Sequence, residues 1–431
     1  MFAARRKSAG LDLEAVEMAT RAGMHRAGAA LLATLLAAPE DHAPRAACSC
    51  GAQARYHDRR SKRLLTALGP VQLERAYYVC PQCQRGQTPR DRELDVEGTE
   101  CSPGVRRMMA LVGAETSFGK SREQLAFLAG IEVTAKAVER HAEAIGSDIE
   151  AHEQQQIRRA KQLELPEVCA PAAPVFYIEL DGTGLPVVKA ETEGRAGKVA
   201  GQPARTREAK LGCVFTQTTT NPEGRPVRDQ DSTTYTAAIE TAEEFGLRLY
   251  TEAWRRGWIR AKKKVVLGDG AIWIWNLADQ HFPSAIQIVD LFHARQHLWE
   301  LSAKLFPNDE PRRKRWTLRA IDRLDKGQIE SLAKTLRELR PASAELIKAV
   351  VNEADYFERN AERMRYPAFR AQGLFVGSGV VEAGCKTVIG SRLKRSGMFW
   401  TVRGANAIIA LRCAYLNRRF EDYWESRSRP A

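Results

Sequence analysis

The 431-residue sequence lacks any run of apolar residues long enough to cross a membrane, which takes about 18–20. Its opening stretch, MFAARRKSAGLDLEAVEMATRAG, also lacks the apolar centre and the small-residue cleavage site of a secretory signal. We therefore expect a cytoplasmic protein. In that reducing compartment the nine cysteines do not indicate a disulfide framework.

Acidic residues are in deficit. The chain has 53 Asp and Glu against 66 Lys and Arg, a formal net charge of +13, and residues 383–420 contain no acid at all. A basic surplus favours a polyanionic partner, with nucleic acid first and an anionic membrane surface second. The hydrophobic content of 44% and charged content of 28% are ordinary for a globular protein, which argues against a disordered or fibrous class.

Four cysteines form two close pairs, Cys48 with Cys50 and Cys80 with Cys83, at the two ends of a segment that alternates like a β-hairpin. Four thiolates on two tight turns are a ligand set for a structural zinc ion, and they leave no open position for catalysis. The single residue between Cys48 and Cys50 is a tighter gap than usual, so reduced free thiols are the alternative. Three other residues could replace one ligand: His42, His57 and Cys101.

Residues 121–146, SREQLAFLAGIEVTAKAVERHAEAIG, have the pattern of a helix-turn-helix. A first helix would end near Gly130, and Thr134 could cap a second helix. Such a motif can place its second helix in the DNA major groove, but ordinary helical hairpins share the pattern, so both interpretations stay open. Upstream, residues 11–38 predict an amphipathic helix that stops at Pro39.

From residue 175 the chain turns to strands, several of which are followed by an acid. FYIELDGTG predicts a buried strand that ends at Asp181, then a glycine turn and a second strand; KKKVVLGDG places Asp269 after a fourth strand. The predicted order of strand, strand, strand, helix, strand, helix, strand is that of a ribonuclease-H-like α/β fold. In that fold the first and fourth strands are neighbours, so Asp181 and Asp269 should meet at one edge of the sheet.

A third carboxylate would complete a site for two Mg²⁺ or Mn²⁺ ions around a phosphodiester. Glu382 in LFVGSGVVEAGCKTVIG is the candidate, because an acid among apolar residues at a helix start is costly unless it meets a cation. It follows Asp269 by 113 residues, which is too many for the sheet alone, and residues 297–365 are helix-like and polar; together these predict an all-helical insertion. Asp290 and His293 could position the scissile phosphate, or could pair for structural reasons alone.

Basic residues flank Glu382 and line a glycine-rich loop, and they are candidates for contacts with a DNA backbone. They are Arg205, Arg207, Lys210, Lys386, Arg392, Lys394, Arg395 and Arg403. Phe399 and Trp400 could stack on an unpaired base, or could pack their segment onto the sheet.

Several long blocks resemble the Kra family of bacterial insertion-sequence transposases of the DDE type, relatives of the mutator-like transposases. The blocks are TALGPVQLERAYYVCPQC, SPGVRRMMALVGAETSF, LDGTG, TREAKLGCVFTQ, VVLGDGAIWIWNLADQHFPSAIQIVDLFHARQHLWEL, NAERMRYPAFRAQGLFVGSGVVEAGCKTVIG and GMFWTVRGANAIIALR. Together they extend over nearly the whole chain.

The resemblance implies that Asp181, Asp269 and Glu382 are the catalytic acids and that His293 belongs to an Asp-x-x-His element. It also implies two Mg²⁺ (or Mn²⁺) ions per active site. The expected reaction is hydrolysis and strand transfer at terminal inverted repeats, by a homodimer or larger assembly on double-stranded DNA, in a bacterial cytoplasm with the nucleoid.

We predict six parts along the chain: an N-terminal helical segment (1–45), a zinc-ribbon-like β region (46–100), a helix-turn-helix-like region (101–172), a ribonuclease-H-like core (173–296), a helical insertion (297–370) and a final catalytic helix with a basic tail (371–431). Two other functions remain open from the sequence. One is a metal-dependent nuclease without strand transfer, and the other is a catalytically inert DNA-binding regulator.

Overall fold

A computed structural model describes residues 12–37, 43–165, 168, 172–197 and 202–427. The chain forms two compact units, Met1–Ala144 and Ile145–Ala431. Two residues named from the sequence, Pro39 and His42, lie outside the described residues.

The first unit is built on a four-stranded antiparallel sheet whose strands are hydrogen-bonded in chain order. The strands are β1 (Arg45–Ala47), β2 (Gln53–Thr66), β3 (Gly69–Val79) and β4 (Gly86–Gln87). The helices are α1 (Leu13–Leu36), α2 (Pro89–Glu93), α3 (Pro103–Glu115), α4 (Phe118–Gln124) and the first part of α5 (Ala135–Lys161).

The predicted helix-turn-helix region contains two helices separated by a sharp break. Helix α4 ends in a π-helical turn, Leu125–Ala129, and Gly130 then takes a left-handed conformation with φ of 65°. Thr134 Oγ1 accepts a hydrogen bond from the Ala137 N–H at 3.0 Å and so caps the start of α5, as expected.

The second unit is built on a five-stranded mixed sheet with the order β11-β10-β5-β6-β9. These strands are β5 (Val175–Pro186), β6 (Thr206–Gln217), β9 (Thr234–Ala238), β10 (Lys263–Gly268) and β11 (Ile286–Val289); a separate small pair comprises β7 (Thr219–Thr220) and β8 (Pro226–Val227). The three strands β11, β10 and β5 run parallel, and β6 and β9 pair antiparallel to their neighbours.

The strand that carries Asp181 does not end there, so the predicted turn and second strand are wrong. Gly182 and Gly184 continue β5 and pair with Lys210 and Glu208 of β6. A Cβ at Gly182 would lie 2.6 Å from Glu208 Oε1, so this glycine makes room for a neighbouring side chain. Asp181 is therefore held in the middle of a paired strand.

The sequence prediction also missed strand β9. Its five residues, TYTAA, follow a polar loop and lie at the edge of the sheet, where only β6 pairs with them. With β9 included, the order of strands and helices is the predicted one, and β5 and β10 are neighbours as expected.

Helices cover the sheet and form the segment between β11 and Glu382. They are α6 (Ala242–Arg255), α7 (Ile272–His281), α8 (Leu291–Leu305), α9 (Glu310–Asp325), α10 (Ile329–Arg337), α11 (Ala344–Arg359), α12 (Tyr366–Ala371), α13 (Gly379–Gly384), α14 (Ser391–Leu393), α15 (Val402–Leu416) and α16 (Phe420–Arg427). A π-helical turn, Cys385–Gly390, follows α13 directly. Among the helices that the structure describes, none is both long and apolar enough to cross a membrane.

Candidate functional site

The four paired cysteines come together in the first unit. The sulfur atoms of Cys48, Cys50, Cys80 and Cys83 all lie within 4.8 Å of one another. The Cys48–Cys83 and Cys50–Cys80 sulfur pairs are each 3.6 Å apart, and all four residues are free thiols. The tight gap between the first two cysteines therefore does not prevent convergence, and His57 and Cys101 are not members of the group.

Two backbone turns aim the thiols at one another. At the first turn the Cys48 N–H bonds to the Ala52 carbonyl at 2.9 Å; at the second, the Cys80 N–H bonds to the Arg85 carbonyl at 2.9 Å. The antiparallel ladder between β2 and β3 then fixes the distance between the two turns. The ligand set is thus shaped by short-range hydrogen bonds.

The close packing of the four cysteines shifts the pKa values of Cys48 and Cys50 in opposite directions. Hydrogen bonding from the Cys50 backbone, together with the neighbouring thiols, lowers the pKa of Cys48 to about 6. The thiols of Cys48 and Cys80 raise the pKa of Cys50 to about 11, although the Ala52 backbone N–H opposes that rise. All four thiols can ionise together only if a cation balances them, and four sulfur ligands suit a structural zinc ion.

The second cluster lies where β5 and β10 run side by side. Leu180 pairs with Gly268 in the parallel register, so Asp181 and Asp269 are the next residues of the two strands. Burial raises the pKa of Asp181, and the charge of Asp269 adds to that rise. The structure therefore brings these two predicted acids to one edge, which we call the acidic edge.

Glu382 lies on α13, next to this edge. One turn further along, Cys385 Sγ donates to Asp181 Oδ2 at 3.4 Å, which sets the helix against β5. The Glu382 side chain is exposed rather than buried. Among the described residues, the four cysteines are the only group of three or more His, Cys, Asp or Glu side chains whose ligand atoms lie close enough together to hold one metal ion. The three acids thus do not form a closed ligand set.

Asp290 and His293 have different surroundings. Asp290 is 1% exposed; its Oδ1 accepts the His293 N–H at 2.5 Å as the cap of α8, and its Oδ2 accepts the Ser378 N–H. This buried acid therefore joins two backbone segments, which is a structural role. His293 is half-buried, and its imidazole Nε2 lies 3.3 Å from His297 Nε2.

A hydrogen-bonded chain connects these histidines to helix α11. His297 Nδ1 lies 2.7 Å from Glu353 Oε2, and its ring stacks on Tyr356 with centroids 4.1 Å apart. The Tyr356 hydroxyl donates to the Asp269 carbonyl at 2.9 Å. Helix α11 therefore supports both His297 and the turn that carries Asp269.

Most of the predicted DNA-contacting cations have exposed or half-exposed side chains. They are Arg205, Arg207, Lys386, Lys394, Arg395 and Arg403. The Lys394 ammonium donates to Thr183 Oγ1, two residues after Asp181 on β5.

Three predicted contact residues are placed differently from expectation. Lys210 is 8% exposed, and its ammonium bonds to the Glu240 carbonyl at 3.0 Å. Arg392 is fully buried with its guanidinium 5.1 Å from the Trp400 ring centroid. Trp400 is itself 6% exposed and donates to the Leu393 carbonyl at 3.0 Å. These side chains pack the protein interior, so a contact with DNA or a base is not available to them in this arrangement.

Glu179, two residues before Asp181, was not predicted to be a site residue. It is fully buried, and burial raises its pKa to about 8. Its Oε2 accepts the Val381 N–H at 2.9 Å. The sequence carries a signal for it, because FYIEL places one acid inside an apolar run whose other residues are all buried.

Comparison with known proteins identifies no family for the chain. No protein-family model matches the chain, and no curated protein matches it. Among solved structures, a Drosophila P element transposase strand transfer complex is similar over 75% of this chain and 79% of that one, at 9% sequence identity and a TM-score of 0.25. A likeness of that size carries no argument about fold or activity.

Proposed function

We propose that the chain is a DDE transposase of the Kra type, which binds terminal inverted repeats and catalyses DNA hydrolysis and strand transfer. The supporting observation is the placement of Asp181 and Asp269 at adjacent positions of two parallel strands, with the helix of Glu382 set against the same strand. The strand order supports a ribonuclease-H-like core. The net charge of +13 suits a DNA partner.

The residues at the edge suit Mg²⁺, because carboxylate oxygens are its preferred ligands and the raised pKa of Asp181 is the effect of burial and an unbalanced neighbouring charge. Asp181, Asp269 and Glu382 would hold it. Bound there, magnesium would stabilise charge on the attacking and leaving oxygens. The protein itself would orient the phosphodiester through exposed cations such as Lys386 and Lys394, and His293 would lie beside the acids.

The first unit would supply recognition of the DNA ends, with the zinc-bound cysteines as a structural support for β2 and β3. Helices α4 and α5 are the candidate for groove contact, because the capped start of α5 follows the break at Gly130. A second copy of the chain would provide the second active site needed for two DNA ends.

The test uses purified protein, Mg²⁺ or Mn²⁺, and a labelled duplex carrying the terminal repeat of the flanking element. Wild type should cut at the repeat boundary. Asp181→Ala, Asp269→Ala and Glu382→Ala should each reduce cutting by about a hundredfold or more, about 2.7 kcal/mol in activation free energy, while binding persists. Glu243→Ala, at an exposed acid in the first turn of α6, is the matched control.

Two other outcomes would redirect the assignment. Cutting without preference for the repeat would indicate a nuclease that does not transfer strands. Specific binding by wild type without any cutting would indicate a DNA-binding regulator with an inert core.

A further inference from the structure

The buried acid Glu179 and the catalytic candidate Asp181 lie on the same face of β5, because alternate residues of a strand point the same way. Glu179 has no exposed surface, and its Oε2 accepts the Val381 N–H at 2.9 Å. Its Oε1 is buried and has no hydrogen-bond partner within the described ranges. An uncompensated oxygen of this kind is costly, so a plain core position would favour an apolar residue.

Two side chains of strand β5 form hydrogen bonds with the helical segment of Glu382. Glu179 reaches Val381, and Asp181 reaches Cys385. Two residues of strand advance about 6.6 Å. Four residues of helix advance about 6.0 Å. These two distances are nearly equal. The paired hydrogen bonds therefore fix both the position and the rotation of the helix beside Asp181.

The helical segment that begins with α13 lacks a side-chain cap at its start. It continues through the π-helical turn Cys385–Gly390 into α14, and its N-cap residue Ser378 makes no side-chain capping bond. Val381 is the third residue of the helix, so its N–H has no acceptor within the helix. Glu179 supplies that acceptor from a position 202 residues away in the sequence.

A second buried acid holds the segment just before the helix. Asp290 Oδ2 accepts the Ser378 N–H, and the Leu291 N–H donates to the Val376 carbonyl at 2.9 Å. On its inner side, Gly384 lies so close to the sheet that a Cβ there would be 2.8 Å from the Tyr235 ring. Glu382 is the exposed residue next to Val381, so any movement of the Val381 amide moves it.

We propose that Glu179 is a positioning residue: by holding the Val381 amide, it fixes the start of helix α13 and so places Glu382 beside Asp181. The inference rests on the proposed function, because it gives Glu382 a part in the reaction. It does not require Glu179 to touch metal or DNA.

Three variants separate this role from general stability. Glu179→Leu removes the acceptor at similar size, and Glu179→Gln keeps an acceptor oxygen. Thr234→Val is the control, because it removes a buried hydrogen bond, Thr234 Oγ1 to Glu252 Oε1 at 2.6 Å, elsewhere in the same sheet. If Glu179→Leu does not fold, Val381→Pro removes the donor instead, since proline is tolerated in the first turn of a helix.

Amide hydrogen exchange and single-turnover cutting of the repeat duplex are the two measurements. In Glu179→Leu, exchange in residues 379–385 should rise about tenfold and the cutting rate should fall about tenfold, with DNA affinity within about twofold of wild type. Glu179→Gln should restore both within about threefold, and Thr234→Val should change neither.

The inference is overturned if Glu179→Leu exchanges like wild type in residues 379–385, or if exchange rises there while cutting is unchanged. Failure of the proposed function has a different signature, because wild type itself would then not cut. In that case the part of Glu179 in the reaction is lost too, while the exchange data still decide whether it holds helix α13.

Discussion

The cysteine cluster of the first unit and the acidic edge of the second collect their side chains in opposite ways. The four thiols come from the two turns that flank the β2–β3 hairpin and converge within 4.8 Å. The three acids come from two strands and a helix that are 88 and 113 residues apart in sequence, and they stay apart as a ligand set. A site built from local turns is complete in the folded chain, whereas a site built from distant elements depends on how those elements are held.

The largest effect we predict is the loss of the first unit when its thiols are removed. Cys80 is fully buried, and structural zinc contributes about 10–16 kcal/mol of apparent binding free energy in small zinc-finger peptides. We expect Cys80→Ser, or chelation of wild type, to abolish cooperative unfolding of residues 12–144. Elemental analysis of zinc together with circular dichroism would measure this.

The control for that experiment is Cys101→Ala, which removes a buried thiol of the same unit outside the cluster. It should keep the zinc and lose only a modest part of the stability. A Cys80→Ser protein that folds like wild type and releases no metal would show that the cluster is four reduced thiols.

A second, smaller effect in the same unit is the pH dependence of stability that comes from a buried histidine and not from the metal site. Burial, with help from Arg140 and Arg106, lowers the pKa of His141 to about 4. The folded-state pKa lies below the unfolded value of about 6.5, so this contribution to stability is complete above pH 6.5 and is lost as pH falls through 4. Wild type should therefore lose up to about 3 kcal/mol more than His141→Leu between pH 7.5 and pH 4.

Chemical denaturation of both proteins across that range is the measurement, and release of zinc at low pH affects both alike. Parallel pH profiles for wild type and His141→Leu would contradict the prediction. Such a result would place the whole acid sensitivity of the unit in its thiolates.

The smallest effect concerns the acidic edge, where removing a charged side chain should raise the stability instead of lowering it. Burial and the nearby charge of Asp269 disfavour ionised Asp181. Without divalent metal at pH 7, Asp181→Asn should therefore stabilise the second unit by about 0.5–1 kcal/mol, a trade of stability against function. Calorimetry with and without Mg²⁺ checks this: magnesium should stabilise wild type and leave the variant unchanged. Destabilisation of the metal-free variant would mean that Asp181 serves the fold.

The fold and the candidate sites could be predicted from the sequence where the signal is local or periodic. Asp181 and Asp269 each follow an apolar run, and parallel strands bring such positions together, so their meeting could be predicted. The cysteine cluster was visible in its spacing. The capped start at Thr134 was visible in the same way.

The errors came from partners that are distant in the chain. Gly182 and Gly184 look like a turn, but β6 continues beside them and keeps them in a strand. Arg392 and Lys210 look like surface cations, yet a tryptophan ring covers one and a carbonyl accepts from the other. Glu179 accepts a hydrogen bond at 2.9 Å from a residue 202 positions away, a separation at which no local pattern operates.

The π-helical turn Cys385–Gly390 lies between Glu382 and the buried Arg392. Two carbonyls of this turn, those of Thr387 and Val388, accept hydrogen bonds from the buried Arg412 guanidinium at 2.5 and 2.8 Å. Such a turn contains one residue more than an α-helix would use. Deleting that residue would rotate everything before it by about 100° relative to everything after it. Natural versions of this segment should thus keep its length.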